Sequence, residues 1–280
     1  MAEHKYEYFL SLVEKDNQPL FLYENDFGFL AHISKTGKKT VITSIDEPLT
    51  KQDNIIPALK KLIEYCLETK KLDKIILETR EETNKKLKLA LKDSKYRVLK
   101  SRYYLTWPVF ILKNFDENLS GTKNKKLRNF RNNFFRDNQN IEITNFKESD
   151  KEGLKTLVLE WKKKRTAHDI LEYYKYIEFI ESNFKGFDMV KIIKINNKPV
   201  SVFGGWKIPN SKNYYSCIGI YDYDIDNLAE VSNILDLIEI KKLGMEKADF
   251  GGSEQALLNF KMKFHPDEFY RTDIYAVEKN

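Results

Sequence analysis

The sequence predicts an α/β sandwich, in which helices pack against the faces of a mixed sheet. Two observations lead to this prediction. Short runs rich in β-branched and aromatic residues alternate with longer segments whose apolar residues recur at helical spacing. The order of strands and helices in the second half repeats part of the order in the first, without a repeat at the level of residues. We therefore expect two similar units packed together, residues 1–117 and 118–280.

The first half begins with a meander of three strands and continues with helices that alternate with strands. Turn residues separate the strands, and the helices are indicated by apolar spacing. The predicted strands are 19–24, 27–34, 39–45, 74–79 and two within 96–113, and the predicted helices are 54–72 and 81–94. Pro108 interrupts the last pair of strands. Because proline cannot donate a ladder hydrogen bond, we expect it at a bend or at a sheet edge.

The second half continues the alternation. The predicted strands are 140–146, 187–196, 198–208, 212–221, 247–250 and 268–278, and the predicted helices are 148–165, 172–184, 227–244 and 253–264. Gly244 follows the third of these helices at the position where a left-handed glycine commonly ends a helix. Ser253 stands at the start of the last helix and is expected to cap it.

Composition and charge narrow the class of protein. The longest apolar runs fall far short of the roughly 20 residues of a membrane span, so a soluble protein without integral membrane association is expected. No secretory signal pattern opens the chain, and two cysteines, Cys66 and Cys217, fit a reducing cytoplasm. The net charge of +6 is weak support for an anionic partner, and the position of the charges matters more.

A basic segment, residues 118–136, joins the two halves and contains six basic residues and no acidic one. On a helix, Leu127, Phe130 and Phe134 share one face. One interpretation is a solvated surface helix that packs through its aromatic stripe. The other is a helix that tracks phosphates and binds RNA with a marked salt dependence. The residues predicted to bind RNA are Lys125, Lys126, Arg128, Arg131 and Arg136.

Four stretches resemble the C-terminal domains of lysyl-phosphatidylglycerol synthases, a family in which two units of the Gcn5-related N-acetyltransferase (GNAT) fold are joined in tandem. They are KNKKLRNFRNNFFR (123–136), LEWKKKR (159–165), YYSCIGIYDYD (214–224) and ADFGGSEQALLNFKMKFHPDEFY (248–270). The last stretch is also similar to the end of the Fem peptidoglycan-bridge transferases. The resemblance implies two tandem GNAT-like units and aminoacyl transfer.

The chain departs from these families at two places. Members that aminoacylate lipids resemble one another in an Asp-Leu-Met-Arg run, where this chain has Cys217-Ile218-Gly219-Ile220. The glycine-containing pyrophosphate loop of ordinary GNAT enzymes is also missing, because the corresponding stretch 224–233 has three acidic residues and no glycine. A pyrophosphate there meets like charge and poor backbone donors. These departures weigh against a lipid acceptor and against acyl-CoA, and they favour aminoacyl-tRNA as donor.

Two adjacent glycines, Gly251 and Gly252, stand between a short strand and the last helix. They indicate either a plain turn or a place where a ligand approaches the backbone. Asp249 and Glu254 flank them and are the predicted catalytic residues, able to orient an amine or accept its proton. The alternatives are a strand-end carboxylate bonded to local backbone for Asp249 and a first-turn acid stabilised by the helix dipole for Glu254.

Substrate contacts are expected around the same glycines. The amides of Gly252 and Ser253 are candidates for an oxyanion site. Lys261 either extends to solvent or reaches a phosphate or carboxylate of the donor. Residues of one strand face, which is expected to border the cleft of the fold, complete the set. The predicted substrate-binding residues are Tyr215, Cys217, Gly219, Gly251, Gly252, Ser253 and Lys261. Cys217 is not expected to act as a nucleophile.

Chiefly through this resemblance, the sequence predicts a cytoplasmic aminoacyl- or acyltransferase. It is expected to use aminoacyl-tRNA as cosubstrate and an amine or hydroxyl acceptor, either a small molecule or a peptide. One alternative is an acyl-CoA-dependent N-acyltransferase. The other is a non-catalytic RNA-binding or scaffold protein on a GNAT fold. No further cofactor is expected. No metal is expected either, because the histidines lack metal-binding spacing; they are His4, His32, His168 and His265.

Overall fold

The computed structural model describes residues 3–11, 17–36, 39–44, 46–165 and 173–280. Within them, the strands are β1 (Asn17–Glu24), β2 (Phe27–Thr36), β3 (Lys39–Ser44), β4 (Lys74–Arg80), β5 (Tyr96–Val98), β6 (Tyr103–Ile111), β7 (Ile141–Asn145), β8 (Met189–Ile195), β9 (Lys198–Lys207), β10 (Asn213–Tyr221), β11 (Lys247–Asp249) and β12 (Glu268–Lys279). The predicted end of the third strand at residue 45 lies outside the described residues.

The helices are α1 (Tyr6–Ser11), α2 (Ile55–Glu64), α3 (Glu81–Ala90), α4 (Lys125–Asp137), α5 (Lys151–Lys164), α6 (Tyr173–Glu181), α7 (Leu228–Lys242) and α8 (Gln255–Lys261). A π-helical turn, Tyr65–Thr69, continues α2. Gly244 adopts φ +74° just after α7, as its position predicts. Strands and helices alternate as expected, and the predicted α/β class is confirmed.

All twelve strands in the described part of the chain belong to one sheet. Its order is β1-β2-β3-β4-β12-β6-β11-β10-β9-β8-β7, and β5 pairs with the end of β12. The last strand, β12, pairs with β4 on one side and with β6 on the other. In turn, β6 pairs with β11. Each half of the chain therefore contributes a strand to the middle of the sheet beside strands of the other half, and the predicted boundary near residue 118 does not separate two sheets.

Pro108 lies in the interior of the sheet, so the prediction of a bend or an edge position is wrong. It pairs with Phe269 of β12, and its carbonyl accepts a hydrogen bond from Phe250 N at 3.1 Å. This carbonyl faces the side of β6 that pairs with β11. The β11 ladder ends at Asp249, and the next pairing on this side is the bridge between Ser253 and Thr106. The missing N–H of Pro108 falls at this interruption, where the ladder needs no donor.

Two strand pairs in the described sheet run parallel, β3 with β4 and β10 with β11. The β10–β11 ladder covers three residue pairs and ends where Tyr215 faces Asp249. Beyond that position β10 continues to Tyr221 along β9 alone. The edge of β10 that β11 leaves is thus open, and this opening positions the site described below.

The helices divide between the two faces of the sheet. α2 and α3 pack on one face with Ile75 and Leu77 of β4, and α4 and α7 continue that layer in the second half. α5, α6 and α1 cover the opposite face beside β9 and β10. Because side chains alternate along a strand, Ile76 and Glu78 point to this opposite face. There, next to α5 and α6, lies a cavity that is partly open to solvent.

Candidate active site

A cavity of about 660 Å³ lies on this face, beside the opening between β10 and β11. Strands β4 and β6 contribute Glu78 and Trp107, helices α5 and α6 contribute Trp161 and Tyr176, and the N-terminal segment contributes Glu3. Six of the residues predicted to bind substrate line the same cavity: Tyr215, Cys217, Gly219, Gly251, Gly252 and Lys261. The structure therefore brings residues from distant parts of the chain to one cavity.

The two adjacent glycines have separate structural causes. Gly251 adopts φ +77°, a left-handed conformation that favours glycine, and its N–H donates to Asp249 Oδ1 at 2.9 Å. Gly252 packs against β6, where an added Cβ would lie 2.9 Å from atoms of Leu105 and of Trp107. The pair thus forms a tight turn pressed against β6, and it also forms part of the cavity wall.

Asp249 supports this turn from behind the cavity. Its side chain is buried, accepts the Gly251 N–H, and accepts the Tyr270 hydroxyl at 2.7 Å on Oδ2. Burial raises the pKa of Asp249, while the bonds from Tyr270 and Gly251 act in the opposite direction. Asp249 is not one of the described residues that line the cavity. This placement fits the strand-end carboxylate interpretation, and a catalytic role for Asp249 stays an untested prediction.

Lys261 fastens the same turn from the side of α8. Its Nζ donates to the carbonyl of Phe250, to the carbonyl of Gly251 at 3.3 Å and to Ser253 Oγ at 2.8 Å. The side chain is buried, so the interpretation of a lysine that extends to solvent is wrong. Burial lowers the pKa of Lys261 to about 8, against the attraction of Asp249. Lys261 places a positive charge at the cavity wall next to the glycines.

Ser253 and Glu254 lie outside the cavity wall formed by the described residues. The Ser253 N–H donates to Thr106 O at 2.9 Å, so it is not available for an oxyanion, contrary to the prediction. Its hydroxyl donates to Gly251 O, and the residue before α8 is Glu254, which makes no side-chain cap. The predicted Ser253 cap is therefore wrong. Glu254 is exposed to solvent, and nothing in the geometry links it to the cavity.

The sequence analysis missed the contribution of the N-terminal segment. Glu3 Oε1 accepts hydrogen bonds from the Tyr8 hydroxyl at 2.8 Å and from the Tyr215 hydroxyl at 3.0 Å. Burial, followed by the nearby Glu3 carboxylate, raises the pKa of Tyr215. Residue 3 is far from residue 215 in sequence, so no local pattern signals this contact.

The sequence analysis also missed Glu78. Its Oε1 accepts the Thr272 hydroxyl at 2.9 Å, and Thr272 Oγ1 in turn accepts the Trp107 indole N–H at 2.9 Å. Burial, assisted by the negative charge of Glu3, raises the pKa of Glu78 to about 7. A carboxyl group with this pKa can both hold and release a proton near neutral pH. The available signal was the acidic residue within KIILET, directly after the apolar run of residues 75–77.

Cys217 faces the cavity as a neutral thiol. Burial raises the pKa of this thiol well above its ordinary value, outweighing the nearby positive charge of Lys175. A buried thiol of this kind is a weak nucleophile because the thiolate is the reactive form. That Cys217 does not attack a substrate stays a prediction.

The segment that corresponds to the pyrophosphate loop of GNAT enzymes is acidic and already paired. Lys164 binds Asp222 at 2.9 Å and Asp224 at 2.6 Å, just before α7 begins. Asn227, the residue before α7, adopts φ +64°. Carboxylates at this helix start repel a phosphate, whereas a phosphate site uses free backbone N–H groups there.

The basic helix forms as predicted. Leu127 and Phe134 of α4 are buried, and Phe130 packs against the cluster that contains Leu127, which confirms the apolar face. The guanidinium of Arg128 binds the carbonyls of Leu119 and Gly121.

The other basic residues of α4 differ in their contacts. Arg131 binds the carbonyls of Glu117 and Asn118 at 3.0 and 3.2 Å, so it and Arg128 hold the preceding loop. Arg136 pairs with Asp137, and Lys125 and Lys126 are exposed. RNA binding by these five residues stays a prediction, and the two arginines of the loop have a structural role of their own.

Two further properties concern metals and membranes. Within the described ranges, no group of three His, Cys, Asp or Glu side chains is arranged to hold a metal ion; His168 lies outside those ranges. Over the same ranges, every helix is too short or too polar to cross a bilayer.

Solved structures of other proteins resemble this fold, although sequence comparisons find no match. No protein-family model matches the chain, and no curated protein matches it in sequence. A conserved Bacteroides thetaiotaomicron protein of unknown function has a TM-score of 0.75 at 16% identity, with 100% of this chain and 91% of that chain covered. The C-terminal DUF2156 domain of an Agrobacterium fabrum protein assigned as a lysylphosphatidylglycerol synthetase has a TM-score of 0.64 at 13% identity, with coverages of 100% and 88%.

The structure of FemX has a TM-score of 0.63 at 10% identity, with 97% of this chain and 90% of that chain covered. This chain also resembles the structure of a tandem GNAT protein. Together these likenesses confirm the predicted GNAT-like fold. They also agree with the resemblance to lysylphosphatidylglycerol synthetase domains and Fem proteins that the four sequence stretches suggested. At these identities the likeness is one of fold.

Proposed function

We propose that the protein is an aminoacyl- or acyltransferase whose reaction takes place in the cavity beside β10 and β11, with aminoacyl-tRNA as donor. The observation that carries the proposal is the position of Glu78, a carboxyl group with a pKa of about 7 in the wall of a 660 Å³ cavity. The cavity lies where the tandem GNAT-like fold opens its sheet, and the predicted substrate-binding residues converge there.

Glu78 is the general base of this proposal. An amine or hydroxyl acceptor attacks the carbonyl carbon of the aminoacyl ester and forms the new C–N or C–O bond. Glu78 takes the proton that the acceptor loses. The ester C–O bond then breaks, and the ribose oxygen of the tRNA leaves with a proton returned from Glu78. The hydrogen bond from Thr272, itself fixed by Trp107, orients the carboxylate for this exchange.

The glycine turn and its two buried supports act as positioning elements. Lys261 and Asp249 fix the conformation of Gly251, and Gly252 lies against β6. The charge of Lys261 beside the turn favours a developing oxyanion in the cavity. Tyr215, whose ring lies beside Gly251, and Cys217 line the cavity next to this turn and contact the acceptor in this proposal.

The choice of donor rests on the start of α7. The resemblance to GNAT enzymes implies that the stretch 224–233 corresponds to their pyrophosphate loop, and at its start Lys164 pairs with Asp224 and with the preceding Asp222. Two carboxylates there disfavour the acyl-CoA alternative. An aminoacyl ester on tRNA needs no pyrophosphate site, since its phosphates belong to an RNA backbone that contacts the protein outside the cavity.

The test is an aminoacyl-transfer assay with a mixture of aminoacylated tRNAs, purified protein and a panel of amine and hydroxyl acceptors. We expect the wild-type protein to deacylate one class of tRNA in the presence of its acceptor, and E78Q to lose most of that activity. The matched control is E142Q, which changes an exposed carboxylate of β7, at the far end of the sheet from the cavity. Transfer that depends on acyl-CoA and not on tRNA, or an E78Q protein as active as the wild type, contradicts the proposal.

A further inference from the structure

A second groove, of about 630 Å³, runs between α3, the start of β6 and α8. It is separate from the catalytic cavity over most of its length, but Arg102 and Tyr103 line both. α8 forms the other common border, since Leu257 lines the cavity and Leu258 lines the groove. The groove therefore adjoins the catalytic cavity at the start of β6 and along α8.

The groove has an excess of positive charge. Five basic residues line it, namely Lys85, Lys88, Lys100, Arg102 and Arg271. Three acidic residues line it as well, and two of them are already paired: Glu81 with Lys85 at 2.8 Å and Asp273 with Arg271 at 2.7 Å.

Three of the basic side chains remain for a ligand. Lys88, Lys100 and Arg102 are exposed and form no ion pair with any residue in the described part of the chain. An anionic ligand in the groove would neutralise them. A polyanion that tracks along the groove fits them better than a single small anion, because they come from α3 and from the loop before β6 and not from one built pocket.

Two successive residues of β6 carry exposed aromatic rings beside the groove. Tyr103 and Tyr104 are 50% and 51% exposed, although they lie in a strand of the sheet interior. Consecutive strand residues point to opposite faces, so the two rings flank β6 on either side. The guanidinium carbon of Arg271 lies 3.9 Å from the centre of the Tyr104 ring, which holds that ring in place.

We propose that this groove binds the single-stranded 3′ end of an RNA, with bases stacked on Tyr104 and Tyr103 and phosphates on Lys88, Lys100 and Arg102. Basic grooves that carry exposed aromatic rings bind single strands in this way, because every base offers a face for stacking. The proposal rests on the proposed function in one respect, since the terminal ester of the donor must enter the cavity past Arg102 and Tyr103.

The test is fluorescence anisotropy with a labelled RNA heptamer that ends in CCA, at several salt concentrations. We expect Y104A to bind about tenfold more weakly, since a stacked base contributes about 1–3 kcal/mol and about 1.4 kcal/mol corresponds to a factor of ten. Y104F keeps a ring and should restore most of the affinity. K88A/K100A should reduce the slope of log K against log salt by about 1.4, roughly 0.7 for each lost phosphate contact on a single strand.

Matched controls lie elsewhere on the surface. Y23A removes an exposed tyrosine of β1, and K185A/K207A removes two exposed lysines near the other end of the sheet. We expect both to bind the heptamer like the wild type, with an unchanged salt slope. Absence of heptamer binding by the wild type, or equal losses in groove and control variants, overturns the groove assignment.

Failure of this inference can be told apart from failure of the proposed function. If transfer from aminoacyl-tRNA proceeds and Y104A and K88A/K100A leave heptamer binding and transfer unchanged, the groove assignment is wrong and the function stands. If the groove variants weaken heptamer binding but no acceptor is ever aminoacylated, the function is wrong and the RNA site stands.

Discussion

Tyr215 of β10 faces Asp249 of β11 in the last residue pair before these two parallel strands separate. On the Tyr215 side the hydroxyl binds Glu3 in the cavity. On the Asp249 side the carboxylate binds Gly251 N and the hydroxyl of Tyr270. The end of this ladder is thus where the cavity wall begins, and the glycine turn directly after Asp249 depends on buried polar contacts for its shape.

The two glycines on the cavity wall should differ in their response to alanine. In G252A the new Cβ meets Leu105 and Trp107 at 2.9 Å, so we expect the free energy of unfolding to fall by about 1–3 kcal/mol. Gly219 is the matched control, because an added Cβ there meets nothing within 4 Å and its φ is not left-handed. Urea unfolding measures both, and equal stabilities for the two variants contradict the packing described for Gly252.

Replacing Lys261 by methionine keeps the apolar stem and removes the ammonium group. The carbonyl of Phe250 and the hydroxyl oxygen of Ser253 then lose the donor that Lys261 provides in a buried place. We expect a loss of about 2 kcal/mol in the free energy of unfolding, since unsatisfied buried acceptors cost about 1–3 kcal/mol. K263M is the control on the same helix end, where Lys263 is exposed and pairs with Glu230. If both variants are equally stable, the hydrogen bonds of Lys261 contribute nothing to the free energy of unfolding.

The activity should depend on pH through Glu78. Its pKa of about 7 means that the carboxylate form, which accepts a proton, becomes dominant as the pH rises through 7. We expect the transfer rate to rise across this range in the wild type, and E78Q to lose about 10²–10⁴-fold in rate together with this pH dependence. A pH–rate profile of both proteins provides the measurement.

The raised pKa of Glu78 also predicts how the stability of the wild type relative to E78Q changes with pH. Glu78 has a folded-state pKa above the ordinary value of 4.5, so the native state binds more protons than the unfolded state between about pH 4.5 and 7. The wild type should therefore lose stability relative to E78Q as the pH rises through this window. A stability difference between the two proteins that stays constant from pH 5 to pH 8 would show that Glu78 is not buried in the way described.

The basic residues of α4 should divide into two groups. K125A/K126A changes two exposed lysines, so we expect unchanged thermal stability and, if α4 tracks RNA, a flatter salt dependence of tRNA binding. R128A/R131A removes the groups that bind carbonyls of the loop before α4, so we expect a lower melting temperature. An unchanged salt slope in K125A/K126A removes the RNA role of these lysines, and an unchanged melting temperature in R128A/R131A removes the loop-holding role.

Local patterns in the sequence predicted most elements of this fold. Apolar spacing located α2, α4 and α7, and turn residues separated the strands of both meanders. The order of the sheet was not predictable in this way, because the positions of β6 and β12 depend on pairing between residues more than 150 positions apart. The interior position of Pro108 follows from the same long-range pairing.

The candidate site was predictable in part for the same reason. The closing motif indicated Gly251, Gly252 and Lys261, which are close to one another in sequence. Glu3 and Glu78 reach the cavity from distant segments, and their roles follow only from the three-dimensional arrangement. The sequence also gave no way to see that the Ser253 N–H is taken up by Thr106.

The central claim is that the donor is an aminoacyl ester on tRNA. The most direct measurement is a binding titration of the purified protein against aminoacylated tRNA, deacylated tRNA, CoA and acetyl-CoA under the same conditions. We expect tighter binding of the aminoacylated tRNA than of the deacylated form, and no competition by CoA or acetyl-CoA at the acidic start of α7. Binding of the CoA thioesters without any preference for aminoacylated tRNA would contradict the account.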